Sequence, residues 1–292
     1  MASISGVLTA MVTPFDDDGA LDLAGARRLA RHLVEQGSHG VVVAGTTGES
    51  PTLSDDEKLE LLREVRDELA DEGIVLCGTG SNDTSHSVEL TRAAAAVGAD
   101  AVLVVTPYYN KPNRAGLRAH FEAVAEAAGD TPMVLYNIPS RTVINLDPEF
   151  LAELGQIPNV IGVKQANNDE IGPIEGLDVL AGNDNIFLRC LELGGTGGIL
   201  VSSHLAGAQM RDLYDAANAG DLERAREIDD SLQDVYEATV VTANPIPVKA
   251  GVEMLGLIGG RLRLPMVEAD DEQRAAVRSV LERHGLLAAS AG

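Results

Sequence analysis

Eight times between residues 6 and 203, a short β-branched apolar run gives way to a polar turn and then to a segment of helical periodicity. Strands alternating with helices over short links make parallel βα units, and eight such units close a (β/α)8 barrel, so the expected fold class is an α/β TIM barrel. The strand runs are 6–12, 40–44, 74–77, 101–105, 133–136, 160–163, 179–180 and 198–201. Helices are expected over 22–36, 54–72, 84–97, 114–128, 148–154 and 186–193, with a short acidic helix near 170–175. Ser54 with Glu57 three positions on spells a capping box, while Gly37 and Gly98 stop the helices before them. An open doubly wound sheet needs a glycine-rich phosphate loop after its first strand, and Met11-Val12-Thr13-Pro14-Phe15 is none. From about His204 the pattern is helical only, over 208–219, 221–242, 247–257 and 271–284. The expected organisation is a barrel over 1–203 carrying the active site, and a small C-terminal helical bundle over 204–292 packed on it.

Charge narrows the partners. Lys plus Arg number 22 against 45 Asp plus Glu, so 22 − 45 = −23. Nucleic acid and anionic membrane both demand basic patches, and both are excluded as partners. The acidic excess is spread along the chain, which reads as halophilic adaptation to a salt-rich interior that screens self-repulsion. Cys77 and Cys190 form no CxxC and read as buried thiols of a reducing compartment. The apolar run 7–12 is too short for a signal peptide, and no stretch approaches the ~18 apolar residues of a membrane span. A cytoplasmic, soluble enzyme is expected.

Catalytic groups of such barrels lie where strands end and βα loops begin. Those positions hold GTTGES at 45–50, GTGSN at 78–82, TPYYN at 106–110, YNIPSRT at 136–142, Lys164, and Gly182-Asn183-Asp184. Gly45–Gly48 is either a tight turn or a nest of N–H groups for a carboxylate; it is not a Walker loop. Tyr108 and Tyr109 are core aromatics or functional groups, in a chain with only five tyrosines. Arg141 is a surface arginine or a fork for a substrate carboxylate. Gly194–Gly198, before the eighth strand, reads as a helix stop.

Only four lysines occur: Lys58, Lys111, Lys164 and Lys249. Lys58 is expected on a solvated helix face, Lys111 in a polar loop, and Lys249 in the helical C-terminal part. Lys164 alone ends an apolar strand. There an amine is either a snorkelling surface group or a nucleophile, since burial disfavours the ammonium form and a neutral amine adds to carbonyls. The six histidines fall outside HxxH or HExxH spacing, so no metal and no other cofactor is expected.

GTTGES, TPYYN, YNIPSRT, GVK at 162–164 and NPIPVK at 244–249, in this order, resemble the dihydrodipicolinate synthase family. That family belongs to the pyruvate-dependent class I aldolases, with N-acetylneuraminate lyase. The resemblance spans essentially the whole chain. It implies a lyase in which pyruvate condenses with aspartate-4-semialdehyde in lysine and diaminopimelate synthesis. It further implies a Schiff base at Lys164, with Thr46 and Thr47 on the pyruvate carboxylate and Tyr136 as general acid/base. Arg141 would hold the second substrate, Gly182 and Ile199 would line the pyruvate pocket, and Tyr109 would reach in from a neighbouring subunit of a homotetramer. The alternatives are a 2-keto-3-deoxy sugar acid aldolase and a catalytically silent binding barrel. Gln165 stands where the family commonly has glutamate, which would leave Lys164 with less carboxylate support. Val143 and His204 also depart. Of the site where lysine inhibits some members, Ser50, Asn82 and Tyr108 are kept but Asp55, Lys58 and His86 are not, so weak or no inhibition is expected.

Overall fold

The structure, a computed structural model, describes residues 3–287. The outermost ends of the two expected domains, residues 1–2 and 288–292, lie outside the described residues. Strands β1 (Gly6–Ala10), β2 (Gly40–Val43), β3 (Ile74–Gly78), β4 (Ala101–Val105), β5 (Met133–Asn137), β6 (Val160–Gln165), β7 (Asp178–Ala181) and β8 (Gly197–Leu200) close in chain order into a parallel barrel. Closure runs through β1 and β8, where Val7 faces Gly198 and Leu8 faces Ile199.

Period-two alternation divides the core. Leu8, Val42, Leu76, Leu103, Val134, Leu180 and Ile199 fill the lumen. Their neighbours Val7, Val41, Val75, Val102 and Val163 point outward into the helical layer. Each fully buried leucine stabilises the fold by about 2 kcal/mol over an exposed one.

Around the barrel run α1 (Leu23–Glu35), α2 (Asp55–Leu69), α3 (Thr84–Val97), α4 (Arg114–Ala128), α5 (Pro139–Thr142), α6 (Pro148–Leu154) and α7 (Phe187–Glu192). The capping box forms as expected: the Glu57 N–H donates to Ser54 Oγ at 3.2 Å, and the Ser54 N–H to Glu57 Oε2 at 2.8 Å. Gly98 ends α3 at φ 101°, a conformation that costs glycine nothing.

After β8 come α8 (Ser203–Asn218), α9 (Leu222–Ala238), α10 (Ile246–Met254) and α11 (Asp271–Arg283). Helix α8 packs on β1 as well as on α9 and α10. The expected helix 221–242 stops at Ala238, where the β-branched run Thr239-Val240-Val241-Thr242 begins. The acidic helix expected near 170–175 is absent. A single 3-10 turn, Asn168–Glu170, stands there instead, because Gly172, Pro173 and Gly176 break any continuation.

Candidate active site

Lys164 is inward-facing on β6, in register with Tyr136 on β5 and Leu180 on β7. Its side chain is almost fully enclosed, and Nζ stands 4.4 Å from the centre of the Tyr136 ring. The amine makes no hydrogen bond or ion pair among the described residues. The neighbouring Gln165 points to the opposite face, as strand alternation requires. There its Oε1 accepts from Asn137 Nδ2 at 3.0 Å and from the Asn167 N–H at 2.9 Å, while its Nε2 finds no partner. The side chain at 165 therefore does not touch Lys164. The charge that Lys164 does feel is Asp184, whose carboxyl burial raises above its usual range, against N–H donation from Ser202 (2.8 Å) and Val201 (3.1 Å) and the pull of Lys164.

The loop after β2 faces this amine. The backbone N–H groups of Thr46 and Thr47 have no acceptor among the described residues, which leaves two donors in sequence for an anion. Asn244 Nδ2 donates to Thr47 Oγ1 at 2.9 Å, and Thr13 Oγ1 donates to the Gly48 carbonyl at 2.6 Å. Behind the loop lies Lys249, fully buried against Glu49 with Nζ to Oε1 at 2.6 Å. Burial lowers Lys249 to about 8, although Glu49 opposes the shift. Lys58, expected in solvent, is buried as well: it lies in the first turn of α2 and pairs with Asp55, one turn back, at 3.1 Å.

A cavity of about 570 Å³ opens at the carboxyl ends of the strands. Thr46, Thr47, Tyr136, Arg141, Lys164 and Gly182 all line it. A Cβ on Gly182 would lie 2.8 Å from Ala166 Cβ, so glycine alone lets the end of β7 close onto β6 beside the lysine. Ile199 is not part of the wall; it is buried in the lumen cluster. Tyr109 is also outside the lining, 87% exposed at φ 70°. Among the described residues the side-chain hydroxyls of Thr46 and Tyr136 are not hydrogen-bonded to each other. Arg141 is exposed, and its guanidinium has no partner among the described residues.

A second cavity of about 470 Å³ shares Thr46, Tyr136 and Arg141 and continues past Ser50, Asn82 and Tyr108. Asp55 there binds both Lys58 and His86, the latter at 2.8 Å. Burial pushes the Asp55 carboxyl up, and the bonds from Lys58 and His86 outweigh it and hold it below its usual value.

Sequence reasoning did not single out Asn244 or Asp184 as site residues, although both line the first cavity. NPIPVK and the Gly182-Asn183-Asp184 turn were the available signals. Among the described residues no group of three or more His, Cys, Asp or Glu is placed to hold a metal ion. Cys77 and Cys190 are free and buried, and burial pushes both thiols up to about 12.

Fold and site together define a class: a (β/α)8 protein with a free strand-end amine facing a phenol and unpaired N–H donors in one polar cavity. The chain matches the dihydrodipicolinate synthetase family over residues 3–284 and belongs to it. It is 48% identical over 282 residues to the 4-hydroxy-tetrahydrodipicolinate synthase of Parasynechococcus marenigrum, covering 94% of this chain and 93% of that one. The crystal structure of dihydrodipicolinate synthase from Thermotoga maritima superposes with a TM-score of 0.94 at 39% identity, covering 98% of this chain and all of that one. That of the Cyanidioschyzon merolae enzyme with lysine bound gives 0.93 at 39% identity, covering 97% and 99%.

Proposed function

We propose that this chain is the lyase that condenses pyruvate with aspartate-4-semialdehyde to 4-hydroxy-tetrahydrodipicolinate. Membership of a family whose similar members are named for this reaction supports it. The observation that carries the chemistry is Lys164, an enclosed amine with no hydrogen-bond or ion-pair partner among the described residues, held against Tyr136. Its nitrogen adds to C2 of pyruvate, and loss of water leaves an imine. The Thr46 and Thr47 N–H groups and hydroxyls hold the pyruvate carboxylate. Tyr136 moves the protons of carbinolamine collapse and of C3 deprotonation. The enamine carbon then attacks the aldehyde, Arg141 gripping the carboxylate of that substrate. Attack of the substrate amine on C2 closes the ring and frees Lys164. Gly182 keeps the pocket wall thin, and Ile199 would act only from the lumen cluster beneath it.

Tyr109 completes the hydroxyl relay from a neighbouring subunit of a dimer-of-dimers tetramer; its exposure in the single chain supports a role outside its own cavity. The division into a barrel over 1–203 and a helical bundle over 204–292 is supported by the purely helical run after β8, with α8 shared between the two. The net charge of −23 supports a salt-rich cytoplasm as the working medium. Among the described residues no helix is long and apolar enough to cross a membrane.

The test is borohydride reduction in the presence of pyruvate, followed by turnover with pyruvate plus either aspartate-4-semialdehyde or glyceraldehyde. A covalent adduct on Lys164 and consumption of the semialdehyde are expected. Turnover with glyceraldehyde alone would establish a sugar-acid aldolase instead, and no adduct would leave a binding barrel.

A further inference from the structure

We infer that the buried pair Glu49–Lys249 is a positioning element that holds the Thr46–Thr47 loop in the shape that receives the substrate carboxylate. The inference rests on the carboxylate role proposed for Thr46 and Thr47.

Glu49 ends the loop in a left-handed conformation, φ 55°, which a residue with a Cβ adopts only under constraint. The constraint is visible on both carboxylate oxygens. Oε1 accepts from Lys249 Nζ at 2.6 Å and Oε2 from the Arg263 N–H at 3.0 Å. Its own N–H donates back to the Thr46 carbonyl at 3.1 Å, so a shift of Glu49 moves Thr46 directly. Lys249 and Arg263 both lie over the Phe15 ring, at 4.2 and 4.4 Å. Arg263 is itself anchored by Glu57 at 2.6 Å and by the Gly19 and Thr52 carbonyls, each at 2.9 Å. With Asn244 on Thr47 and Thr13 on Gly48, each of residues 46–49 is tied to its surroundings. The Thr46 and Thr47 N–H groups have no acceptor among the described residues.

An ion pair is a costly way to fill a core, since neutral residues of like volume serve stability as well or better. What a pair adds is a short, directed hydrogen bond, and here that bond ends on the residue that sets the turn. Glu49 and Arg263 are the charged groups facing Lys249.

The test measures half-saturation by pyruvate for borohydride trapping, with Tm, in Thr47→Val, Lys249→Met and the doubly substituted Glu49→Gln, Lys249→Met protein. Lys249→Met strands a buried carboxylate and is expected to lose stability, so the neutral double variant decides. Misplacement of about 1 Å costs up to ~10²-fold, so a rise of about tenfold or more in half-saturation is expected for Thr47→Val and for the folded double variant. A rise in Thr47→Val with a folded double variant within about twofold of the parent overturns the positioning role alone. No change in Thr47→Val overturns the carboxylate reading itself, and the inference falls with it. A double variant that does not fold also counts against it, since the pair would then serve the whole fold.

Discussion

Lys164 and Tyr136 are register partners on adjacent strands, and the lysine nitrogen stands over the phenol ring at 4.4 Å. The hydroxyl of Tyr136 is not hydrogen-bonded among the described residues. Removing it leaves the ring, its packing and every protein hydrogen bond in place. Tyr136→Phe is therefore expected to keep the parent Tm while kcat falls by about 10²-fold or more, the contribution of a positioned proton-transfer group. Lys164→Met is expected to abolish the borohydride adduct in a folded chain. Full activity of either variant would remove the residue from the mechanism.

Gln165 follows Lys164 in sequence but faces the other side of β6, where its carboxamide joins Asn137 and Asn167. Gln165→Glu is expected to change kcat and pyruvate KM by less than about threefold, near 0.6 kcal/mol in barrier. A tenfold gain would mean that the charge at 165 reaches the amine after all.

Strong local signals were legible where caps and stops agree. Helices 84–97 and 148–154 are found with the expected bounds, because Asp83 and Asp147 cap them and Gly98 and Gly155 follow. The strand ends, read as a rim, do bring Thr46, Thr47, Tyr136, Arg141, Lys164 and Gly182 to one cavity. Contacts across long separations were not legible. Glu49 and Lys249 lie 200 positions apart, and neither motif announces the other. The burial of Lys58 is not legible locally, because a charged helix face carries no sign of what packs over it in the fold. The effect expected of Gln165 came from adjacency in sequence, which in a strand means opposite faces.

The second cavity holds Ser50, Asn82 and Tyr108, the residues kept from the site where lysine inhibits some members of the family. A lysine-bound structure exists for the Cyanidioschyzon merolae relative. Here Asp55 is already satisfied by Lys58 and His86, so an ammonium group entering this cavity meets a lysine and finds the Asp55 carboxylate occupied. L-lysine titrated into the assay is expected to leave the rate unchanged through the micromolar range. Half-inhibition at micromolar lysine would refute this reading of the cluster.

His204 sets an acid limit on stability. The Val201 carbonyl can only accept, so Nδ1 carries the proton and donates to it at 2.8 Å; Nε2 accepts the Val12 N–H at 3.1 Å. Both ring nitrogens are thus satisfied in the neutral form. Burial pushes His204 down from 6.5 to about 4. Between these values the unfolded chain binds a proton that the native chain refuses, so stability falls as pH drops through the window. The full effect is about 3 kcal/mol from this residue. His120, lowered to about 4 by burial, acts in the same direction. Asp184 opposes both, because its raised carboxyl takes up a proton first in the native state. Urea unfolding at pH 7, 5.5 and 4.5 is expected to show declining stability, and His204→Gln a shallower decline. An unaltered pH slope in that variant would show that His204 does not carry the effect.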